Sequence, residues 1–268
     1  MLKGVSETLY IPLYGRASAR KYGNIIEDPM AERIVRESGY DFDKNTRSRF
    51  LDIYMAIRAA AIDRLVAGFL ERNPGALVVH MGCGLDSRAL RVKGASMWVD
   101  VDLPEVIRAR AAFYKENDGY CMLSADVRQP GWLDRIIAPP SVSVAVVSEG
   151  LSMYLSHEEN IALMKGLRQR FGRCEYIFDA YSESAVKWSK LKNPVNKMGA
   201  VIKWGLDGPE AIERQLPFAR CAGVFYFTGR EWSDRLYKPC DRALFRLFYG
   251  NSWANALYRL YRFELEDK

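Results

Sequence analysis

Residues 77–91 read LVVHMGCGLDSRALR: an apolar run stops at Gly82, Cys83 and Gly84, and the pattern then turns amphipathic. That change of period predicts strand, tight turn and helix. Glycines at 82 and 84 permit positive φ or a ligand close to the backbone. A helix beginning just beyond them aims unpaired N–H groups and its positive dipole end at the turn, which makes a nucleotide cradle. The dinucleotide fingerprint asks for a third glycine at position 87, where Ser87 stands. On the glycine pair alone, an ordinary strand-to-helix turn explains the stretch as well as a cradle does.

Downstream the alternation continues. Strands are predicted over 96–101, 120–124, 142–148 and 175–180, with helices from Pro104 through about Glu116, briefly over 132–137, and over 157–171. Repeated strand, helix, strand units imply right-handed crossovers and an α/β fold with a doubly wound, mostly parallel sheet. Upstream, the pair Asp28, Pro29 opens a helix, and Phe50, Ile53, Tyr54, Ile57, Ala61, Leu65 and Phe69 mark a long one over 45–71. Arg58 lies off that apolar stripe, so its plain alternative is a solvated helix face. One domain of 268 residues is expected, with an N-terminal helical cap (1–72), a cofactor-binding core (77–180), a lid or substrate region (181–240) and a closing segment (241–268). Residues 181–220 carry Trp188, Pro194, Trp204 and Pro209 without a clear period, which suits a lid insertion that orders on cofactor or acceptor. Residues 261–266 alternate well enough for a last strand. The aromatic and basic run around it reads as core packing with a solvated face ahead of a membrane surface or nucleic-acid site.

Composition excludes several classes. A net charge of +6 without a Lys/Arg block demands no nucleic acid. Cys83, Cys121, Cys174, Cys221 and Cys240 are odd in number and lack CxxC spacing, so they read as reduced packing residues of a cytoplasmic protein. With only His80 and His157, no histidine-based metal site is expected. No apolar run approaches a signal peptide or membrane span.

In an open parallel sheet, ligands bind beyond the carboxyl ends of the strands. After the glycine turn of the first strand, the next four end in Asp100 and Asp102, Asp126, Glu149 and Asp179. Any one of these is explained as a helix cap; four in register suggest a site. A negative lining repels a pyrophosphate and favours a cationic ligand with ribose hydroxyls to bind. That tilts the reading from a nicotinamide dinucleotide toward S-adenosylmethionine (SAM).

GCGLDSR (82–88), VDVDLPEVI (99–107), SADVRQPGW (124–132) and SEGLSMYL (148–155) together resemble the leucine carboxyl methyltransferase family of class I SAM-dependent methyltransferases, in the branch similar to the tetracenomycin polyketide O-methyltransferase. The resemblance implies a Rossmann-like fold. It implies that Gly82 and Gly84 approach the methionine part of SAM, that Arg58 reaches its carboxylate, and that Glu149 lies near the same portion. Asp102 would hold the ribose hydroxyls, with Asp100 as second choice, while Asp126 and Val127 would frame the adenine. Tyr154 would face the transferred methyl, and Arg16 is a further carboxylate contact on a looser match. His157 falls in S-x-x-E at a helix start, and so reads as part of a capping box and not as a base.

An ionised carboxylate acceptor needs no base, whereas a phenol does. With no base assigned, the expectation is O-methylation of a small-molecule carboxylate or hydroxyl, a protein carboxyl terminus being the less favoured acceptor. The rivals are an NAD(P)-dependent oxidoreductase and a non-enzymatic SAM-binding or interaction protein.

Overall fold

The computed structural model describes residues 4–42, 48–189 and 200–266. Among them seven strands build one sheet: β1 Leu77–Met81, β2 Met97–Asp102, β3 Tyr120–Ser124, β4 Val144–Ser148, β5 Cys174–Tyr181, β6 Ala219–Phe225 and β7 Tyr258–Leu265. Their order is β3-β2-β1-β4-β5-β7-β6. β1 to β5 run parallel, and β7 lies antiparallel between β5 and β6. β1 and β4 are buried at every position, which is why they read as continuous apolar runs. Chain order reverses between β1 and β4, the switch point where such sheets bind ligands.

Alternate strand residues serve two cores. Val78, Ala145, Val147 and Ile177 face helices α1 (Tyr10–Ser18), α2 (Pro29–Glu37) and α3 (Arg49–Arg72). Val79, Met81, Val146, Tyr176 and Phe178 join Leu163, Met164 and Leu167 on the opposite face. Asp28 caps α2 by accepting from the Ala31 amide, with Pro29 in the first turn as expected. The expected start of α3 at Asn45 lies outside the described residues. Gly15 brings α1 against α3, where a Cβ would fall 2.6 Å from that of Met55. With neighbours this close, residues 55–62 of α3 are buried all round, and the solvated-face alternative for Arg58 fails: it is 6% exposed.

Other boundaries differ from expectation. The helix after the glycine turn, α4 (Arg88–Arg91), is a single turn, and α5 (Pro104–Arg110) stops six residues before Glu116. α6 (His157–Phe171) begins with the capping box read from Ser156 and Glu159. Within the region read as lid, β6 is an addition to the sheet. It is half-exposed and broken between Cys221 and Gly223, so it shows no alternation to read. Trp204 and Leu206, in the same region, are buried against the body of the protein, the Leu206 amide donating to the Tyr181 carbonyl at 2.7 Å. Pro194 lies outside the described residues. No described helix is long and apolar enough to cross a membrane.

Candidate active site

Strand register assembles the site. Met81 pairs with Val101 on one side and Ser148 on the other, and Ser148 pairs with Phe178. Gly82, Asp102, Glu149 and Asp179 therefore leave the sheet at one level. Gly82 and Gly84 take φ of +61° and +51°, the left-handed conformation that glycine tolerates.

The turn's amides are already spent. Gly82 N–H and Cys83 N–H donate to the Val101 carbonyl at 2.8 and 3.3 Å, and Gly84 N–H donates to Asp102 Oδ2 at 2.7 Å. A pyrophosphate cradle needs such amides free and a helix dipole behind them, and here the helix is one turn long. The turn therefore suits a ligand without phosphate, in keeping with the tilt from a nicotinamide dinucleotide toward SAM.

Asp100 and Asp102 divide sharply. Asp100 is fully buried; it accepts from Trp98 Nε1 at 2.9 Å, from the Tyr120 hydroxyl at 2.7 Å and from Arg110, and it contacts His80 Nδ1 at 3.1 Å. Burial raises its pKa, but Arg110 and His80 outweigh it and hold the carboxyl below the usual range. It is a structural anchor, not a free acceptor. Asp102 is half-buried and, among the described residues, accepts only the backbone amides of Gly84 and Leu103, the latter at 2.7 Å, so lone pairs remain on both oxygens. Burial raises its pKa despite those two amides.

On the other side of the turn lies a buried ion network that the sequence reading did not find. Arg58 gives Nε and Nη2 to Glu149 Oε1 at 3.1 and 2.9 Å, and Nη1 to the Tyr258 hydroxyl at 2.9 Å. Arg88 bridges Glu149 at 2.5 Å to Asp63 at 2.6 Å, and Arg91 joins Asp63 to Asp28, both at 2.8 Å. Burial raises the pKa of Glu149, yet Arg58 and Arg88 prevail and lower it to about 2. Asp179 accepts from the Gly150 amide at 2.7 Å and the Tyr258 hydroxyl at 2.5 Å, and burial keeps its pKa raised although Arg58 is near. Gly150, at φ +67°, lies against the Arg58 guanidinium, where a Cβ would fall 3.6 Å from Nη2. Arg16 is spent on Asp28 at 3.0 Å and the Leu85 carbonyl at 3.3 Å, behind the turn and not in it. Arg88 and Arg91 gave no such signal in the sequence: charges in a short helix look solvated until the helix is known to lie under another layer.

Asp126 and Val127 follow β3 at the far end of the row, both half-buried. Asp126 is gripped by Arg128 through Nε at 2.9 Å and Nη2 at 2.5 Å, which lowers its pKa. Tyr154 stands beyond β4, half-buried and hydrogen-bonded to Thr8, with its hydroxyl pKa raised by burial. His157 is tied up: Nδ1 accepts from Trp204 at 3.3 Å and Nε2 meets Gln215 at 3.0 Å. Among the described residues no cluster of metal-ligating side chains occurs.

A model of the leucine carboxyl methyltransferase family matches residues 11–168. The chain belongs to this family. It is 34% identical over 223 residues to the tetracenomycin polyketide synthesis O-methyltransferase of Streptomyces glaucescens, an alignment covering 82% of each chain. It is 31% identical to an S-adenosyl-L-methionine-dependent methyltransferase of Gibberella zeae, covering 81% of this chain and 80% of that one. A SAM-dependent methyltransferase structure from Mesorhizobium loti superposes with a TM-score of 0.52 over 77% of this chain and 99% of its own, at 15% identity. As a leucine carboxyl methyltransferase family member, the protein is a SAM-dependent methyltransferase on a Rossmann-like fold. The turn fits that cofactor: SAM carries no phosphate to claim its occupied amides, and its sulfonium suits a rim of carboxylates.

Proposed function

We propose that this methyltransferase acts on oxygen, at a carboxylate or hydroxyl of a small-molecule acceptor. The observation that carries the reading is the absence of a poised base among the described residues around Tyr154. Burial raises the Tyr54 and Tyr154 hydroxyls and pushes Tyr181 up to about 12; Asp179 is held by Gly150 and Tyr258, and His157 by Trp204 and Gln215. An acceptor already ionised near neutrality needs no such base. The O-methyltransferase among its relatives supports the same reading.

Bound SAM supplies an electrophilic methyl group. For the chain's part, Asp102 would take the ribose hydroxyls on its open lone pairs. Arg58 and Glu149, already paired, would part slightly to hold the zwitterionic methionine end, carboxylate on Arg58 and ammonium on Glu149. The positive φ of Gly82 and Gly84 shapes the turn beside which the methionine end would lie, and Val127 would pack on the adenine. Asp126 would exchange Arg128 for the adenine amine, an exposed pair worth only about 0–1 kcal/mol. Tyr154, protonated, would orient the acceptor beside the methyl group and help exclude water. Alignment of this kind lowers a barrier by up to roughly 7–11 kcal/mol without a proton transfer.

Incubation with methyl-labelled SAM and a library of small carboxylic acids and phenols tests the reading. Label in a carboxyl ester, released as methanol by alkali, or in an alkali-stable ether supports it; label only on nitrogen or carbon overturns it.

A further inference from the structure

One turn near the N-terminus meets the site at three points. The 3-10 turn Gly4–Leu9 runs directly into α1, and three of its side chains reach across the crevice. On the ribose side, Ser6 Oγ donates to Glu105 Oε1 at 3.2 Å, three residues beyond Asp102. On the methyl side, Thr8 is hydrogen-bonded to Tyr154. Between them Leu9 lies over the turn, its Cβ 3.4 Å from where a Cβ on Gly84 would stand. Behind the turn the chain is pinned: Tyr10 stacks on Tyr40 at 3.9 Å, Phe42 packs edge-on against both, and the Tyr40 hydroxyl donates to Glu7 at 2.8 Å.

We propose that Gly4–Leu9 is a strap closing over the cofactor, with Leu9 as its roof over the glycine turn and Thr8 as a positioning residue for Tyr154. This rests on the reading of the glycine turn as the cofactor site. A ligand seated between Asp102 and Arg58 lies beneath a segment latched on both sides, so cofactor exchange requires the strap to lift. The strap is built to do so. A 3-10 turn at a helix start has poorer hydrogen-bond geometry than the helix it joins, and its polar ties, Ser6 to Glu105, Glu7 to Tyr40 and Thr8 to Tyr154, are single hydrogen bonds. The aromatic stack at Tyr10 and Tyr40 marks where lifting stops, because everything beyond it belongs to the packed core. Opening frays one turn and leaves the sheet untouched.

Stopped-flow binding of S-adenosylhomocysteine (SAH) separates this from a merely structural role. In Ser6→Ala/Leu9→Ala, association and dissociation rates should both rise about tenfold, as expected for removing contacts worth one hydrogen bond and a partial apolar cover, while the equilibrium affinity moves much less. Glu105→Ala, on the other side of the crevice, removes the Ser6 latch alone and should raise both rates in the same sense. It serves if the double variant does not fold. Unchanged rates in these variants, with a wild type that binds SAH, overturn the strap and leave the cofactor site standing. Failure of the wild type to bind SAH overturns the site, and the strap with it.

Discussion

Asp100 accepts from Trp98 and Tyr120 in the sheet and from Arg110 of α5, and meets a fourth neighbour in His80, whereas Asp102, two residues on, keeps open lone pairs. Asp102→Ala is therefore expected to weaken SAM binding roughly 10- to 150-fold, the value of about 1.5–3 kcal/mol for a hydrogen-bonded charge. Asp100→Ala should instead lower the urea midpoint and leave the affinity of the folded fraction largely intact. Equal losses of affinity would place the ribose wrongly. At Arg58, a point charge cannot replace a fork that grips two oxygens, so Arg58→Lys should not rescue the SAM-binding defect of Arg58→Ala. The Arg58→Ala defect should shrink for 5′-methylthioadenosine, which has no carboxylate; an equal loss for that analogue would reduce Arg58 to a fold residue. Glu149 carries a pH signature. Its folded pKa of about 2 lies below the unfolded value of about 4.3, so its stabilisation is fully present above that value and is lost as pH falls toward 2. Urea midpoints of wild type and Glu149→Gln should differ most above about pH 5 and converge below it. A gap that ignores pH would mean that the ion pairs with Arg58 and Arg88 contribute nothing.

The parallel strands β1 to β5 were legible because each is a buried apolar run or ends on a carboxylate, and the start of α6 because Ser156 and Glu159 spell a capping box. β6 was not legible, since an edge strand with a bulge and half-exposed faces leaves no period in the sequence. Within α3 the stripe was right and the solvated-face alternative for Arg58 was not, because alanines at 56 and 59–61 let neighbours close on all sides. In the site, the carboxylates at strand ends were readable; which of Asp100 and Asp102 faces inward was not, for it depends on His80, Arg110 and Tyr120 arriving from other elements. The N-terminal layer is fastened at Gly23, which bridges to Leu236, with Asn24 N–H donating to the Arg235 carbonyl at 2.9 Å and Tyr237 N–H to the Tyr22 carbonyl at 2.9 Å. A Cβ at Gly23 would stand 2.8 Å from the Leu236 Cα. Gly23→Ala should therefore cost roughly 1–3 kcal/mol in urea unfolding, as overpacking against backbone does. No loss of stability would show the two segments to be loosely joined.

At the scale of the whole molecule, a chain of net charge +6 gathers Asp102, Glu149 and Asp179 at one edge of its sheet and spends the glycine-turn amides internally. That combination opposes a pyrophosphate and accommodates a sulfonium, which is the physical content of the preference for SAM over a nicotinamide dinucleotide. In the proposed reading the tasks separate, with the cofactor on the strand ends and the acceptor beside Tyr154. A crystal structure of the protein with SAH tests this most directly. The account predicts ribose hydroxyls on Asp102, the amino-acid carboxylate on Arg58, adenine against Val127, and Leu9 closed over Gly84; a ribose held elsewhere, or a carboxylate that leaves the Arg58–Glu149 pair untouched, would contradict it.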